Sequence, residues 1–172
     1  EATTTLLVTG GSLGAKRINE TIEASRAALR NAGIQVLHIM GNRSELPEVS
    51  EPLYVRIAYC DQMELAIAAA DVAISRSGAA TVSEFTAIGL PAVYVPYPVG
   101  NGEQALNAST AVAAEAAILV KDADFTPEFV ANTVVPLVSN SKRIATMSAA
   151  TSLIAISDGA ERLYRLVAGL KG

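Results

Sequence analysis

Ile74-Ser75-Arg76-Ser77-Gly78-Ala79-Ala80-Thr81-Val82-Ser83-Glu84 is the stretch that decides how this chain reads. It overlaps Val72 to Ile74, an apolar run with the character of a buried strand, and it leads into a segment whose apolar residues recur at helical spacing. The turn between them is small and contains Gly78, so the first helical turn can offer free backbone N–H groups to an anion. Glu84 follows about one and a half turns later, at roughly 3.6 residues per turn, within reach of a sugar joined to that anion. A carboxylate accepting from two neighbouring hydroxyls is a usual way to hold a ribose diol. The stretch reads as a seat for a nucleoside diphosphate at a strand-to-helix junction.

Working upstream, Thr4 to Thr9 is a β-branched strand, followed by the turn Gly10-Gly11-Ser12-Leu13-Gly14 and a helix carrying Ile18, Ile22 and Leu29. Gly33 ends that helix, Val36 to Met40 is a second strand, and Gly41-Asn42 is its turn. A polar connection with Pro47 and Pro52 leads to a third strand, Leu53 to Ile57, then to Tyr59-Cys60-Asp61-Gln62 and a short helix through Ala69. Downstream, Gly89 and Pro91 close the helix that begins near Thr81, and Ala92 to Val95 is a fifth strand. The loop Pro96 to Gly102 precedes a helix from Glu103 to about Ala114, and Ala117 to Val120 is a sixth strand. Thr126-Pro127-Glu128 is a helix start, and Pro136 kinks or ends that helix. A helix over Lys142 to Leu153 follows. A last one is announced by Asp158 and Glu161, with Leu163, Leu166, Val167 and Leu170 on one face.

Strands alternating with helices, without an internal repeat, predict an α/β fold: a Rossmann-like parallel six-stranded sheet with helices on both faces. In such sheets ligands bind beyond the carboxyl ends of the strands. Four polar turns fall there: Gly10 to Gly14, Tyr59 to Gln62, Ser75 to Gly78 and Pro96 to Gln104.

The 172 residues suffice for one core, and 51% hydrophobic against 17% charged residues, without Trp, suits helices packed on a buried sheet. A net charge of −4 argues against non-specific nucleic-acid binding and against a polybasic membrane patch. The lone Cys60 excludes an internal disulfide and a Cys-rich metal site, and fits a reducing, cytoplasmic compartment. No apolar run approaches the roughly 20 residues of a membrane span. The start Glu-Ala-Thr-Thr-Thr, with no initiator methionine, is expected of a piece of a longer polypeptide.

The first glycine turn is neither G-x-G-x-x-G nor a P-loop, and its glycines serve a tight turn or a phosphate equally well. A dinucleotide reading wants an acidic residue ending the second strand, which instead ends His38-Ile39-Met40-Gly41. His38, alone in mid-strand among apolar residues, reads as a hydrogen-bonded core histidine, and Cys60 as a structural thiol. No metal-ligand spacing and no complete set of catalytic groups can be assembled. Arg76 and Glu84 are ligand contacts or an ordinary ion pair. Glu103 suits the first turn of a helix, which leaves Gln104 and Asn107 without a reason.

Gly10-Gly11-Ser12-Leu13-Gly14-Ala15 with Asn19, Ile74-Ser75-Arg76-Ser77-Gly78-Ala79 with Thr81-Val82-Ser83-Glu84, Gly89-Leu90-Pro91-Ala92, and Glu103-Gln104-Ala105-Leu106-Asn107-Ala108 occur in the order and spacing of a known family. Nearly the whole chain resembles the carboxyl-terminal half of the MurG family, the UDP-N-acetylglucosamine transferases of peptidoglycan synthesis. The resemblance implies one half of a two-domain GT-B glycosyltransferase, residues 1–172 being the UDP-sugar-binding domain. The parent would move N-acetylglucosamine from UDP-N-acetylglucosamine to lipid I, giving lipid II. An amino-terminal half outside this chain would take lipid I and most of the membrane contact, on the cytoplasmic face. No cofactor and no metal is implied, and no catalytic residue within this domain.

By the same resemblance Ser12 contacts the diphosphate, and the backbone amides of Ala79, Ala80 and Thr81 bind its phosphates. Glu84 accepts from the ribose, the main chain of Cys60 pairs with the uracil edge, and Met63 packs beside it. Gln104 and Glu103 read the sugar hydroxyls, while Arg76 and Asn107 match donor-site positions without a sharper role. Many family members carry Gln at the position of Leu13, and Gln-Gln at that of Glu103-Gln104. The alternatives are the donor half of another GT-B transferase acting on glycolipid or dolichol-linked acceptors, a non-catalytic nucleotide-sugar module, and a Rossmann oxidoreductase.

Overall fold

The computed structural model describes residues 3–156 and 158–169. Its centre is β1, Thr5–Thr9, in which Leu6, Leu7 and Val8 are wholly buried. Side chains alternate across a strand, so Leu6 and Val8 enter the core on one face and Leu7 the core on the other. β1 pairs in parallel with β2, Gln35–Ile39, and with β5, Val72–Ser75. Outside β2 lies β4, Tyr54–Ile57; outside β5 lie β6, Ala92–Tyr94, and β7, Ala117–Leu119. Counted as parallel strands alone, this is the order 3-2-1-4-5-6 of a Rossmann sheet. The reversal between β1 and β5 opens a crevice there, and the turns after these two strands are the glycine turn and the turn at Gly78.

The sheet has seven strands, which corrects the six expected from the sequence. The additional one is β3, Val49–Glu51, antiparallel to β4 at the sheet edge. It is short and mostly exposed, so it carries no alternating apolar signal. The turn into β4 is Pro52-Leu53, and Leu53 has φ 65, a conformation that normally advertises itself as glycine or asparagine.

Two helical layers cover the sheet. On one face, α1 (Lys16–Ala24) and α2 (Arg26–Asn31) lay Ile18, Ile22 and Leu29 against Leu6, Val8 and Ile74. The expected single helix breaks at Ser25, whose hydroxyl donates to the Thr21 carbonyl at 2.7 Å. The helical stretch 127–138 packs Val130, Val134 and Leu137 on the same face. It runs through α7 (Pro127–Phe129), a π turn at Val130–Val134 and α8 (Val135–Val138). Pro136 has no N–H to give to the preceding turn, and the wide π segment accommodates it without ending the helix. The other face is covered by α3 (Met63–Ala68), α4 (Ala79–Ala87), α5 (Glu103–Asn107) and α6 (Ser109–Ala113), which bury Ile67, Phe85 and Ala108 with Leu7 and Tyr94. α9, Ser141–Ile154, contributes Met147 to the first core and rests Ala150 and Ile154 against the second. α10, Gly159–Gly169, is exposed along its length, including Leu163, Leu166 and Val167. Leu170, expected on that face, lies outside the described residues.

Candidate functional site

α4 begins at Gly78 without a side-chain cap. Val82 is the first residue to return its N–H to the turn, at 3.0 Å from the Gly78 carbonyl, so the amides of Ala79, Ala80 and Thr81 precede the helical ladder. Among the described residues no side chain accepts from them. Gly78 has ordinary backbone angles, φ −63 and ψ 148, and a Cβ built on it would meet nothing within 4 Å. The fold does not itself require glycine here.

The glycine turn is built differently. A Cβ on Gly14, which has φ 82, would stand 2.2 Å from the Met40 carbonyl, and one on Gly41 would stand 2.1 Å from the Gly14 nitrogen. The turn is pressed onto the end of β2, and Asn42 donates its N–H to the Ser12 carbonyl at 3.0 Å. Beneath it, Asn19 gives its side-chain NH2 to the Met40 carbonyl at 2.8 Å. Its Oδ1 must then accept from His38 Nε2 at 3.0 Å, which leaves His38 Nδ1 to accept from the Tyr54 hydroxyl at 2.9 Å. His38 is fully buried, and burial, helped by the nearby Arg56 charge, pushes its pKa down to about 3. The expected core histidine is therefore present, and it braces the glycine turn.

Of the cavities along the carboxyl edge, two adjoin at the start of α4. A smaller one, about 210 Å³, is lined by Ser12, Tyr59, Cys60, Met63, Thr81 and Glu84, with Thr9, Gly11, Ile39 and Phe85. A larger one, about 740 Å³, is lined by the glycine turn with Lys16 and Arg17, by Arg76, Gly78 and Thr81, and by Tyr97, Gln104 and Asp122. Gly11, Ser12 and Thr81 belong to both, so the junction between Ser12 and the α4 start joins an apolar-backed chamber to an open polar one. Another hollow, of about 850 Å³, lies between α3, α4 and α9 and also includes Met63 and Glu84 in its lining. Its remaining walls are mostly apolar and include neither the Gly10–Gly14 turn nor the start of α4, so its size does not make it the site.

Seven of the eleven residues expected from the sequence thus meet around these two cavities: Ser12, Cys60, Met63, Arg76, Thr81, Glu84 and Gln104. Ala79 and Ala80 contribute backbone at the same helix start. Asn107 and Glu103 line neither cavity. Asn107 donates to the Ser77 carbonyl at 3.1 Å and so fixes the turn before α4. Glu103 is exposed, and its N–H is taken by Asn101 Oδ1 at 3.2 Å. Gln104 spends its oxygen on the Tyr97 N–H at 2.9 Å, which leaves its NH2 to face a ligand. Arg76 donates to the carbonyls of Val95 and Pro96 at 2.9 and 3.0 Å and lies under the Tyr97 ring at 5.6 Å. It is a strut for the loop after β6.

Lys16, Arg17, Tyr97 and Asp122 were not singled out in the sequence. Asp122 had a legible signal, because the turn after the sixth parallel strand must open on the same edge as the other four. Among the described residues no group of three or more His, Cys, Asp or Glu is arranged to hold a metal ion. Among the same residues no helix is long and apolar enough to cross a membrane.

Fold and site together define a Rossmann-like domain whose carboxyl edge carries an uncapped helix start beside a pocket bearing Glu84. Residues 5–163 match the profile of the glycosyltransferase family 28 C-terminal domain, and the chain belongs to that family. It is 51% identical over 163 residues to a protein of Leifsonia xyli subsp. xyli named UDP-N-acetylglucosamine–N-acetylmuramyl-(pentapeptide) pyrophosphoryl-undecaprenol N-acetylglucosamine transferase. The alignment covers 95% of this chain and 46% of that protein, so the chain spans about half the length of such relatives. The crystal structure of Acinetobacter baumannii MurG superposes with a TM-score of 0.84 at 25% identity, over 98% of this chain and 50% of that one. The calicheamicin glycosyltransferase CalG4, at 19% identity and a TM-score of 0.73, shares the fold. The sheet is that of one half of a GT-B glycosyltransferase.

Proposed function

We propose that this chain is the donor-binding half of the transferase that moves N-acetylglucosamine from UDP-N-acetylglucosamine to lipid I. The observation that carries the reading is the uncapped start of α4 facing Ser12, with Glu84 and the Cys60 main chain in the adjoining chamber. Three amides and a helix dipole favour a diphosphate at that junction. Glu84 is exposed and free to accept from a ribose diol, and the chamber backed by Ile39, Met63 and Phe85 suits a flat pyrimidine. The open cavity bearing the Gln104 amide receives the sugar. Names and coverage of the relatives support the same assignment, and with it a further half that binds the lipid-linked acceptor at the cytoplasmic face of the membrane.

In this reading the seat does chemistry as well as binding. Charge accumulates on the diphosphate as the glycosidic bond breaks, and donors already fixed at Ala79 to Thr81 stabilise that charge without reorganising. The base that activates the acceptor hydroxyl comes from the other half, so this chain alone binds donor and turns nothing over. Calorimetry with UDP-N-acetylglucosamine, UDP-glucose and NADH tests this. Binding of the first above the second supports it, equal binding points to another sugar, and binding of NADH with both UDP-sugars silent contradicts it.

A further inference from the structure

The larger cavity holds an arrangement that a simple anion seat does not explain: a carboxylate, Asp122, stands in the wall where a diphosphate is to bind. It sits in the short 3-10 turn Asp122–Asp124 after β7 and is only 14% exposed. Its Oδ1 lies 2.6 Å from Arg76 Nη1, off the line of the N–H, so this is an ion contact without an aligned hydrogen bond. Its Oδ2 faces Arg17 Nε at 3.7 Å, beyond hydrogen-bond distance. The two arginines differ sharply. Arg76 is 13% exposed and donates to two carbonyls besides, so it is fixed. Arg17 is 48% exposed and, among the described residues, holds only that loose contact. Of the other charges around the cavity, Lys16 is 87% exposed and pairs with Glu20 at 3.8 Å one turn along α1.

Resting on the reading above, we propose that Arg17 is a diphosphate-binding side chain, kept at the cavity wall by Asp122 and handed to a phosphate oxygen when a nucleoside diphosphate enters. A contact so loosely made, by an arginine half exposed to water, is held weakly, whereas a guanidinium meets phosphate through aligned, charge-assisted bonds. Arg76, hydrogen-bonded to the Val95 and Pro96 carbonyls, keeps Asp122 in place by its ion contact while Arg17 leaves. The carboxylate thus prevents a free cation from closing over the site, and it restricts the gain to ligands carrying a diphosphate. Arg17 stands at the second residue of α1, next to Ala15 and the glycine turn, where it faces the phosphates and not the nucleoside chamber.

The test compares UDP with uridine by calorimetry on wild type, Arg17→Ala and Arg17→Lys, with thermal midpoints confirming that each folds. Arg17→Ala is expected to weaken UDP about tenfold while leaving uridine unchanged, and Arg17→Lys to recover part of the loss. A structural role would weaken both ligands together, and that outcome overturns the proposal, as does UDP binding unaltered by Arg17→Ala. Wild type that binds neither UDP nor uridine overturns the reading of the site itself and this inference with it.

Discussion

Helices in this domain begin in two ways. α7 and α9, away from the two ligand cavities, start with side-chain caps: Thr126 accepts from the Phe129 N–H at 3.2 Å, and Asn140 from the Arg143 N–H at 3.0 Å. α1 and α4, at the crevice beside β1 and β5, start from Ala15 and Gly78 with no side-chain cap. Free amides at a helix start cost stability unless something else accepts from them. At α7 and α9 a side chain of the chain itself meets that demand, whereas at the crevice, where two glycine-bearing turns face each other, it falls to the ligand of the proposed function. The difference separates residues that hold the fold from residues that hold the ligand, and substitutions should sort accordingly.

The largest effect is expected beneath the uncapped α1. His38 must stay neutral to accept from Tyr54 and donate to Asn19, and its folded pKa is pushed down to about 3 while the unfolded chain titrates near 6.5. The unfolded state therefore binds the extra proton first. Stability is intact above about pH 6.5 and falls as pH drops toward 3, by at most about 1.4 kcal/mol per pH unit from this group. Denaturant titrations at pH 7, 6, 5 and 4 check it, with His38→Gln giving the shallower dependence. Equal slopes would remove His38 from the account.

Next in size is Glu84→Ala. Two bonds to ribose hydroxyls, discounted for the exposure of the carboxylate, amount to about 2 kcal/mol, or roughly 30-fold in UDP affinity. Unfolding free energy should move by less than about 0.5 kcal/mol. Wild type should discriminate UDP from 2′-deoxy-UDP and the variant should not. Loss of that contrast in wild type would break the assignment. Gly78→Val should follow, holding a phosphate off the amides and weakening UDP about tenfold. Stability should stay within about 1 kcal/mol, since the position has open space and ordinary angles. The smallest effect belongs to Thr126→Ala, which removes a cap and should cost about 1 kcal/mol of stability with UDP affinity unchanged. If Gly78→Val unfolds the domain, or Thr126→Ala weakens UDP, the two classes of helix start do not differ as described.

Much of this was legible beforehand, for identifiable reasons. Leu6 to Val8 and Val72 to Ile74 are buried on both faces, so they read as continuous apolar runs, and parallel order with crossovers then placed the four turns on one edge. β3 was hidden because an exposed edge strand has no apolar period and because Leu53 occupies a glycine-type conformation. Ser12, Thr81 and Glu84 stood out because they flank glycine turns at helical spacing. Arg76 and Asn107 were conspicuous but unassignable, since each acts on carbonyls 19 to 30 residues away along the chain. Arg17 gave no local signal, and Asp122 only that of a turn on the carboxyl edge, because their relation exists only once β7 is laid beside β6.

The central claim is most directly tested by following backbone amide resonances while UDP is added. The account predicts that Ala79, Ala80 and Thr81 shift together and saturably with Ser12, while the capped positions Phe129 and Arg143 stay still. Saturable UDP binding that leaves Ala79 to Thr81 unmoved would contradict it.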